Sequence, residues 1–208
     1  MRTFQTESGA LNRRQLHAFV KAKKSLRVDL GCGANKQAGC FGIDARALPG
    51  VDLVWDLQTF PWPLPDRCAR VVFMSHFWEH VNPQLTMKFM AEVHRICEPG
   101  AQVLIASPYS NEFRFVQDPT HCNPSNEATF LYWDKLDASG LWHVYQPPCF
   151  HVDEFNIIPV GGSRDFNAIL TACYSPEAPC ERCETAGQDP SAPSASASRA
   201  RGARRRKV

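Results

Sequence analysis

The 208-residue sequence lacks both a long hydrophobic run and a large net charge. Its formal net charge is +2, and no stretch approaches the roughly 18 consecutive apolar residues that a membrane-spanning helix needs. The first 15 residues also lack the apolar core of a secretory signal peptide. We therefore expect a cytoplasmic protein with no membrane association. Because this N-terminal segment carries arginines and a single acidic residue, an organellar transit peptide is the alternative.

The sequence also lacks the cysteine pattern of a secreted domain or a zinc ribbon. Nine cysteines are an odd number, and without a secretory signal they predict reduced thiols rather than a disulfide framework. Only one Cys-x-x-Cys pair occurs, Cys180 and Cys183, whereas zinc ribbons use two such pairs. We expect no bound metal, and the alternative is a zinc half-site completed by Cys149 or Cys173 and by His151.

The excess positive charge is confined to the C-terminal end of the chain. Residues 184–208 contain six basic and two acidic residues, so the rest of the chain has 17 basic and 19 acidic residues. Residues 179–208 are predicted to form a disordered tail, because after Glu184 the sequence is dominated by Ala, Ser, Pro and Arg. The acidic body argues against a nucleic-acid binder, although the tail could steer the protein to RNA.

Two short strand-like segments carry the first functional signal. Val28-Asp29-Leu30-Gly31-Cys32-Gly33 is an apolar strand that runs into two glycines, and Phe41-Gly42-Ile43-Asp44 is a strand that ends on a carboxylate. Glycine has no Cβ, so a turn that contains it can tighten and let a ligand approach the backbone. An aspartate at the end of the next strand can accept hydrogen bonds from a ribose diol. Together these segments predict a site for a nucleoside-containing cofactor.

The order of apolar segments predicts an α/β fold with a parallel sheet. A helix is expected to begin near Asn82 and to stop at Glu98-Pro99-Gly100. Two connections, Ala34–Cys40 and Ala45–Asp52, are too short to hold a full crossover helix. The predicted strands are Leu26–Leu30, Cys40–Ile43, Leu53–Trp55, Arg70–Met74 and Gln102–Ala106, followed by a short helix over Asn126–Asp137 and a hairpin of Phe150–Ile158 and Phe166–Cys173.

We divide the chain into three parts. Residues 1–24 are a leader with an amphipathic helix, in which Leu16, Phe19 and Val20 recur at helical spacing. Residues 25–178 are the globular domain, and 179–208 are the tail.

Further motifs follow in a recognisable order. Asp56-Leu57 comes after the third strand, Pro61–Asp66 is a proline-rich loop, and Ser75-His76-Phe77-Trp78-Glu79-His80 follows the fourth strand. With the glycine turn and Glu98-Pro99-Gly100, this series closely resembles the class I S-adenosylmethionine-dependent methyltransferases. The match lies in their compact branch, which has a short first crossover, and it extends from about Leu26 to Tyr109.

The resemblance implies a Rossmann-like sandwich with a seven-stranded, mostly parallel sheet, a closing antiparallel hairpin and shortened first crossovers. It implies S-adenosyl-L-methionine as the cofactor. The glycine turn would hold its methionine end, Asp44 its ribose hydroxyls, and Asp56 with Leu57 its adenine. The cofactor-binding residues implied in this way are Asp29, Gly31, Cys32, Gly33, Asp44, Asp56, Leu57, Ser75 and His76.

Two positions depart from related patterns. Lys36 stands where the dinucleotide fingerprint requires a third glycine, which argues against a nicotinamide-dependent dehydrogenase. Arg70 precedes the fourth strand, where many methyltransferases have an acidic residue.

The candidate catalytic residues lie in the loop after the fifth strand. A histidine that titrates near neutral pH could deprotonate a hydroxyl or amine acceptor, and His121 with Asp118 as its orienting partner fits this role. The alternative is structural, with Asp118 shaping a proline turn that His121 anchors. His76 and His80 have the spacing of metal ligands on a helix, but the sequence offers no evident third ligand.

The sequence therefore predicts an enzyme that transfers a methyl group to an O or N atom of a small-molecule or glycan-type acceptor. One alternative is an RNA methyltransferase that uses the basic tail, and another is a non-catalytic S-adenosylmethionine-binding module. The sequence leaves the acceptor and the oligomeric state open.

Overall fold

The computed structural model describes residues 3–6, 9–22 and 25–174. No helix within these ranges is both long and apolar enough to cross a bilayer. The basic tail, with Cys180 and Cys183, lies outside the described residues, as does the predicted boundary at residue 178. The elements are β1 (Thr3–Thr6), β2 (Gly9–Asn12), α1 (Arg13–Ala22), β3 (Leu26–Leu30), β4 (Phe41–Asp44), β5 (Leu53–Val54), β6 (Ala69–Ser75), α2 (Thr86–Ile96), β7 (Cys97–Pro108), α3 (Phe113–Val116), α4 (Trp142–Tyr145), β8 (Phe150–Val160) and β9 (Ser163–Ala172), with 3-10 helices at Trp78–His80, Pro83–Leu85 and Phe130–Tyr132.

These strands form a single sheet in the order β2-β1-β5-β4-β3-β6-β7-β9-β8. The strands from β5 to β7 run parallel, and β9 and β8 close the sheet as an antiparallel hairpin. This arrangement confirms the predicted mostly parallel seven-stranded sheet. The antiparallel β1–β2 hairpin, which the sequence analysis did not predict, extends the sheet beyond β5, where Thr6 lies opposite Leu53.

The first two crossovers contain no helix, as the sequence predicted. Carboxylates hold these loops instead. Asp29 Oδ2 accepts a hydrogen bond from the Gln37 amide at 2.8 Å. Asp52 Oδ2 accepts the Gly42 amide and the Lys36 ammonium, both at 2.7 Å. Lys36, the residue at the third-glycine position, therefore links the two loops through its ion pair with Asp52.

The main core lies between the sheet and the elements that follow β5. Helix α2 buries four apolar side chains at helical spacing, Phe89, Met90, Val93 and Ile96. Trp62 from the proline-rich loop and Trp78 from the loop after β6 pack against Phe89, with ring centroids 5.2 and 6.3 Å away. Both tryptophans are fully buried, so these two loops belong to the core rather than to the surface.

Two predicted elements differ from the structure. Pro83–Leu85 form a 3-10 turn capped by Asn82, so α2 begins only at Thr86. The predicted helix over Asn126–Asp137 is reduced to a 3-10 turn at Phe130–Tyr132. The reason is that Asn126 Oδ1 accepts the Ala128 amide at 3.1 Å, so a side chain competes with the helical backbone bonds.

Candidate active site

The glycine turn after β3 has two glycines in the left-handed region, with φ of 69° at Gly31 and 53° at Gly33. A Cβ on Gly31 would lie 2.1 Å from the Phe77 ring. The absence of a side chain at Gly31 therefore leaves room for the Phe77 ring to pack against the turn. A Cβ on Gly33 would meet only Arg46 Nη2, at 3.7 Å. Gly33 is therefore the position at which the backbone is open to a ligand.

Asp44 ends β4 beside this turn and is 6 % exposed. Its Oδ2 accepts the Gly33 amide at 2.9 Å, and its Oδ1 accepts the Arg46 amide at 2.9 Å and the Arg46 Nε at 3.2 Å. Burial acts to raise the pKa of Asp44, but the hydrogen bonds from Arg46 and Gly33 outweigh it and lower that pKa. The structure thus places an ionised carboxylate against the glycine turn, where the sequence predicts it.

Asp29 and Cys32 lie inside the turn. Burial raises the pKa of Asp29, although the Gln37 amide and Lys36 act in the opposite direction. Burial, assisted by the nearby carboxylates of Asp29 and Asp44, raises the pKa of the Cys32 thiol to about 12. Both side chains are buried, so their observed contacts organise the loop.

Asp56 and Leu57 follow β5 and have different environments. Asp56 is exposed, and its carboxylate accepts the Gln58 amide at 2.9 Å and the Thr59 hydroxyl at 3.1 Å. Leu57 is 3 % exposed, and its carbonyl accepts the Trp62 indole N–H at 2.8 Å. The Asp56 carboxylate shapes a turn in the manner of an Asx turn and lies at the surface.

The loop after β6 brings charged groups to the same edge of the sheet. His76 adopts a left-handed conformation with φ of 52°, and its amide donates to the Ala106 carbonyl at 2.8 Å. Its Nδ1 lies 3.3 Å from Glu79 Oε1, and its Nε2 lies 3.7 Å from Asp165 Oδ2. The hydrogen bond with Glu79 raises the pKa of His76, and burial opposes it. Ser75, immediately before it, is exposed.

Glu79 is the central group of this region and is 1 % exposed. Its Oε1 lies between His76 Nδ1, at 3.3 Å, and His121 Nε2, at 3.9 Å. Among the described residues, its Oε2 has no hydrogen-bond partner. Sequence analysis gave Glu79 no site role. The available signal was its position three residues after His76 in the Ser-His-x-x-Glu-His motif.

His121 and Asp118 come together as predicted. His121 Nδ1 is 2.9 Å from the Phe115 carbonyl, so Nδ1 carries the hydrogen and Nε2 is left as the acceptor. Asp118 Oδ2 lies 3.7 Å from that Nε2. Asp118 Oδ1 also accepts the Thr120 amide and hydroxyl, at 2.8 and 2.7 Å, and these bonds lower the pKa of Asp118. The Phe115 carbonyl therefore orients the His121 ring, while Asp118 shapes the turn and lies near Nε2 without a hydrogen bond to it.

Within the described part of the chain, two groups of side chains are close enough to share a metal ion. The ligand atoms of Glu79, His80 and His121 lie within 4.8 Å of one another, and so do those of Cys149, His151 and Cys173. The first group belongs to the site described above. The second lies toward the opposite end of the parallel strands, because Thr171, two residues before Cys173, pairs with Gln102, which lies opposite Val71 near the start of β6.

A groove of 240 Å³ lies beside β6, β7 and β9. Ser75 is the only predicted cofactor-binding residue among those that line this groove. The groove is lined chiefly by Phe73, Ser75, Leu104, Ala106, Asn167 and Ile169.

Comparisons with known proteins identify the fold. No model of a known protein family matches the sequence, and no curated protein matches it. A SAM-dependent methyltransferase from Archaeoglobus fulgidus is similar in structure, with 17% identity and a TM-score of 0.52 over 77% of this chain and 94% of that one. The 1,6-didemethyltoxoflavin-N1-methyltransferase of Burkholderia thailandensis has 13% identity and a TM-score of 0.51, over 77% of each chain.

A third similar structure is a 16S rRNA (adenine(1408)-N(1))-methyltransferase variant from Catenulisporales acidiphilia, solved with its cosubstrate SAM. It has 13% identity and a TM-score of 0.54, and the match covers 84% of this chain and 98% of that one. The fold is therefore that of the S-adenosylmethionine-dependent methyltransferases, as the sequence motifs implied.

The packing of Phe77 against Gly31 gives a stability prediction with a matched control. Gly31→Ala and Gly39→Ala both place a side chain at a left-handed position, with φ of 69° and 74°, which costs roughly 1–2 kcal/mol. Only the Cβ at Gly31 meets another group, since nothing lies within 4 Å of one at Gly39. Urea unfolding should therefore show a clearly larger loss of stability for Gly31→Ala. Equal losses would contradict the packing argument.

Because Glu79 raises the pKa of His76, the stability of the protein should depend on pH through this pair. In Glu79→Gln the pKa of His76 should fall, because the largest cause of its elevation is removed. Stabilisation by the protonated His76–Glu79 pair should be complete below the ordinary histidine pKa and lost as pH rises through the raised value. NMR titration of the histidine ring signals measures the shift. The exposed Glu154→Gln is the control, and an unchanged His76 pKa in Glu79→Gln would refute the assignment.

Proposed function

We propose that the protein is an S-adenosylmethionine-dependent methyltransferase that methylates an O or N atom of a small-molecule or glycan-type acceptor. The observation that carries this proposal is the junction of β3 and β4. There the left-handed Gly33 leaves the backbone open to a ligand, and its amide is bound by the ionised Asp44 carboxylate. This junction lies in a sheet whose fold is similar to that of a SAM-dependent methyltransferase from Archaeoglobus fulgidus.

The residues present fit the cofactor. Arg46 Nη2 lies beside the open face of Gly33, so its guanidinium is placed to meet the carboxylate of a methionine group. Asp44 retains acceptor capacity for a ribose hydroxyl at Oδ2, because that oxygen offers two lone pairs and accepts the Gly33 amide with one of them, whereas Oδ1 already accepts two hydrogen bonds from Arg46. In this proposal Asp56 and Leu57 face the adenine, while Asp29, Gly31, Cys32, Ser75 and His76 complete and support the site. When bound, the cofactor supplies a methyl group on a sulfonium for in-line displacement.

The chain itself would handle the proton that an acceptor hydroxyl or amine must lose. His121 Nε2 is the acceptor atom, since Nδ1 donates to the Phe115 carbonyl. Carboxylate oxygens of Asp118 and Glu79 lie 3.7 and 3.9 Å from that nitrogen. Their negative charges would stabilise the imidazolium that forms, which supports His121 as the base and Asp118 as its partner.

The charges around the site favour a small acceptor over RNA. Four carboxylates, those of Asp44, Glu79, Asp118 and Asp165, lie in the described loops and strand ends near the glycine turn and His76. Arg46 and Arg114 pair with Asp44 and Asp165, so the negative charge of the site comes chiefly from Glu79 and Asp118. Such a field disfavours a phosphate backbone, whereas binding to nucleic acid depends on basic contacts. Similar structures include enzymes named for 1,6-didemethyltoxoflavin and for 16S rRNA, so both acceptor classes occur with this fold.

Binding of S-adenosylhomocysteine tests the cofactor assignment. This ligand should raise the thermal midpoint of the protein, whereas NAD should not, because a ligand stabilises the state that it binds. By calorimetric titration, Asp44→Asn should weaken binding by roughly tenfold to a hundredfold, the range expected when hydrogen bonds to a charged group are lost. The control Glu154→Gln should bind normally. Stabilisation by NAD, or none by S-adenosylhomocysteine, would overturn the proposal.

Transfer of a labelled methyl group tests the catalytic assignment. With metabolite and RNA pools as acceptors, label should appear in a small product, and His121→Gln should lower turnover by roughly a hundredfold or more. The exposed His143→Gln is the matched control. In His121→Gln, S-adenosylhomocysteine should still bind, which separates loss of the base from loss of the cofactor site.

Three other results would favour a different function or a different mechanism. Labelled RNA that disappears when residues 179–208 are deleted would favour an RNA methyltransferase. Cofactor binding without any labelled product would favour the non-catalytic module. Full turnover in His121→Gln would remove His121 from the mechanism.

A further inference from the structure

We propose that Glu79, His80 and His121 bind a zinc ion, and that the bound ion inhibits methyl transfer by occupying the nitrogen that accepts the proton. The zinc site follows from the geometry of these three side chains, whereas the inhibition rests on the proposed function. Both depart from the expectation that the protein binds no metal. The observation that carries the proposal is the convergence of two imidazoles and one carboxylate, whose ligand atoms lie within 4.8 Å of one another.

Two loops bring these ligands together. Glu79 and His80 lie in the 3-10 helix after β6, and His121 lies in the loop after β7. The Glu79 carbonyl accepts the amides of Cys122 and Asn123, at 2.9 and 3.0 Å, so the two loops are joined next to the ligands. The rings of His80 and His121 have centroids 4.7 Å apart and are inclined by 70°. Backbone hydrogen bonds therefore hold all three side chains in one small region.

The distances suit zinc after small side-chain movements. In a tetrahedral zinc site, bonds of about 2.0–2.2 Å to nitrogen and oxygen place neighbouring ligand atoms roughly 3.3–3.5 Å apart. Glu79 Oε1 and His121 Nε2 are 3.9 Å apart, so this pair needs to close by only about half an ångström. Imidazole is a good ligand for zinc, whereas magnesium and calcium prefer oxygen ligands. The donor set therefore favours zinc over magnesium or calcium.

Both histidines have a partner on Nδ1, which leaves the lone pair on Nε2. His121 Nδ1 donates to the Phe115 carbonyl at 2.9 Å. The Thr120 hydroxyl donates its single hydrogen to Asp118 Oδ1 at 2.7 Å, so it accepts from His80 Nδ1, which is 3.1 Å away. Metal-ligating histidines characteristically have such a partner, because it fixes both the ring and the tautomer. Both rings are therefore prepared to ligate through Nε2.

Glu79 has an oxygen available for the ion. Its side chain is 1% exposed, and Oε1 lies near His76 Nδ1 and His121 Nε2. Its Oε2 has no hydrogen-bond partner among the described residues. A buried carboxylate oxygen without a partner is costly, because it has lost its contacts with water. Anchoring of the two loops would account for the contacts of Oε1 but not for the unpaired Oε2, whereas a cation at this cluster would supply the missing interaction.

The bound ion would occupy the lone pair on which proton transfer depends. Three protein ligands leave the fourth position of a tetrahedral zinc ion for water. In the proposed function, His121 Nε2 accepts the proton that an acceptor hydroxyl or amine loses. A nitrogen whose lone pair is bound to zinc cannot accept that proton. The zinc-loaded enzyme should therefore still bind its cofactor but fail to transfer the methyl group.

Calorimetric titration of the full chain with zinc sulfate tests the site. Because the chain contains nine cysteines, zinc can also bind elsewhere, and a ligand variant isolates this cluster. His80→Gln should lose one equivalent of zinc or bind it at least about tenfold more weakly, since loss of even an outer partner has an effect of that size. His143→Gln, at an exposed histidine outside the cluster, should bind zinc as the wild type does.

Cobalt provides a spectroscopic readout that is independent of activity. The spectrum of the cobalt-loaded wild type minus that of cobalt-loaded His80→Gln should contain d–d bands and no thiolate charge-transfer band, because this cluster has no sulfur ligand. Glu79→Gln should lose the same bands, and Glu154→Gln, at an exposed carboxylate, should retain them. The bands of the wild type require no variant to fold.

Zinc titration of labelled methyl transfer tests the inhibition. Filling the site should lower wild-type turnover by roughly a hundredfold or more, which is the contribution expected of a general base, and a chelator should restore it. Each variant is compared with its own zinc-free rate, and His80→Gln should need at least about tenfold more zinc for half inhibition. S-adenosylhomocysteine should bind equally well with and without zinc.

Three outcomes would overturn the proposal. The first is the same zinc stoichiometry and affinity in the wild type and in His80→Gln, including no binding to either. The second is a cobalt difference spectrum that lacks d–d bands or contains a thiolate band. The third is turnover that zinc leaves unchanged or raises at concentrations that fill the site. Absence of S-adenosylhomocysteine binding would instead overturn the proposed function and would leave the zinc site standing.

Discussion

Buried and half-buried carboxylates hold together the part of the sheet on which the candidate active site depends. Asp29 and Asp44 each accept a backbone amide from the loop after β3, and Asp52 accepts the Gly42 amide of β4, at 2.7–2.9 Å. In longer α/β domains, a helix satisfies and positions the chain between parallel strands. Here the connections are too short for one, so side-chain oxygens satisfy amides that would otherwise remain unpaired. The same carboxylates leave negative charge where a ribose and a methionine group would bind.

A second carboxylate organises the other half of the site. Glu79 is buried between His76 and His121, which are 45 residues apart, and its carbonyl accepts the amides of Cys122 and Asn123 at 2.9 and 3.0 Å. One residue therefore joins the loop after β6 to the loop after β7 through both its backbone and its side chain. Proton transfer at His121 and the charge of His76 would then depend on the same group, because both histidines face the same carboxylate oxygen.

Much of this arrangement could be predicted from the sequence, because the motifs that indicate it are formed by residues close together along the chain. Strand β3 has the predicted bounds, and Asp44 meets the glycine turn because adjacent parallel strands end at the same edge. The β1–β2 hairpin was not predicted, since its strands have four residues each and no alternating apolar pattern. The role of Glu79 was also missed, because its second histidine lies on a distant loop that only the folded chain brings near.

The cluster of Cys149, His151 and Cys173 shows the same limit more clearly. The sequence analysis considered these residues only as an alternative to a protein without bound metal, because their spacing fits no ribbon pattern. Only the strand register places Cys149 opposite Cys173, and only the loop before β8 brings Asp134 against His151. Local signals thus predicted the proposed cofactor site, while a site built from strand pairing required the structure.

Strand β8 pairs only with β9 among the described residues, so one side of an 11-residue strand is left at the edge of the sheet. Ile157 and Ile158 are 41% and 37% exposed there. An unpaired strand edge with exposed apolar side chains can pair with a strand of another chain. Pro159 offers no amide at this edge, and the exposed Asp153 lies at an irregularity in the pairing between Val152 and Glu154. These features discourage edge-to-edge aggregation, so β8 can extend over 11 residues without becoming a template for self-association.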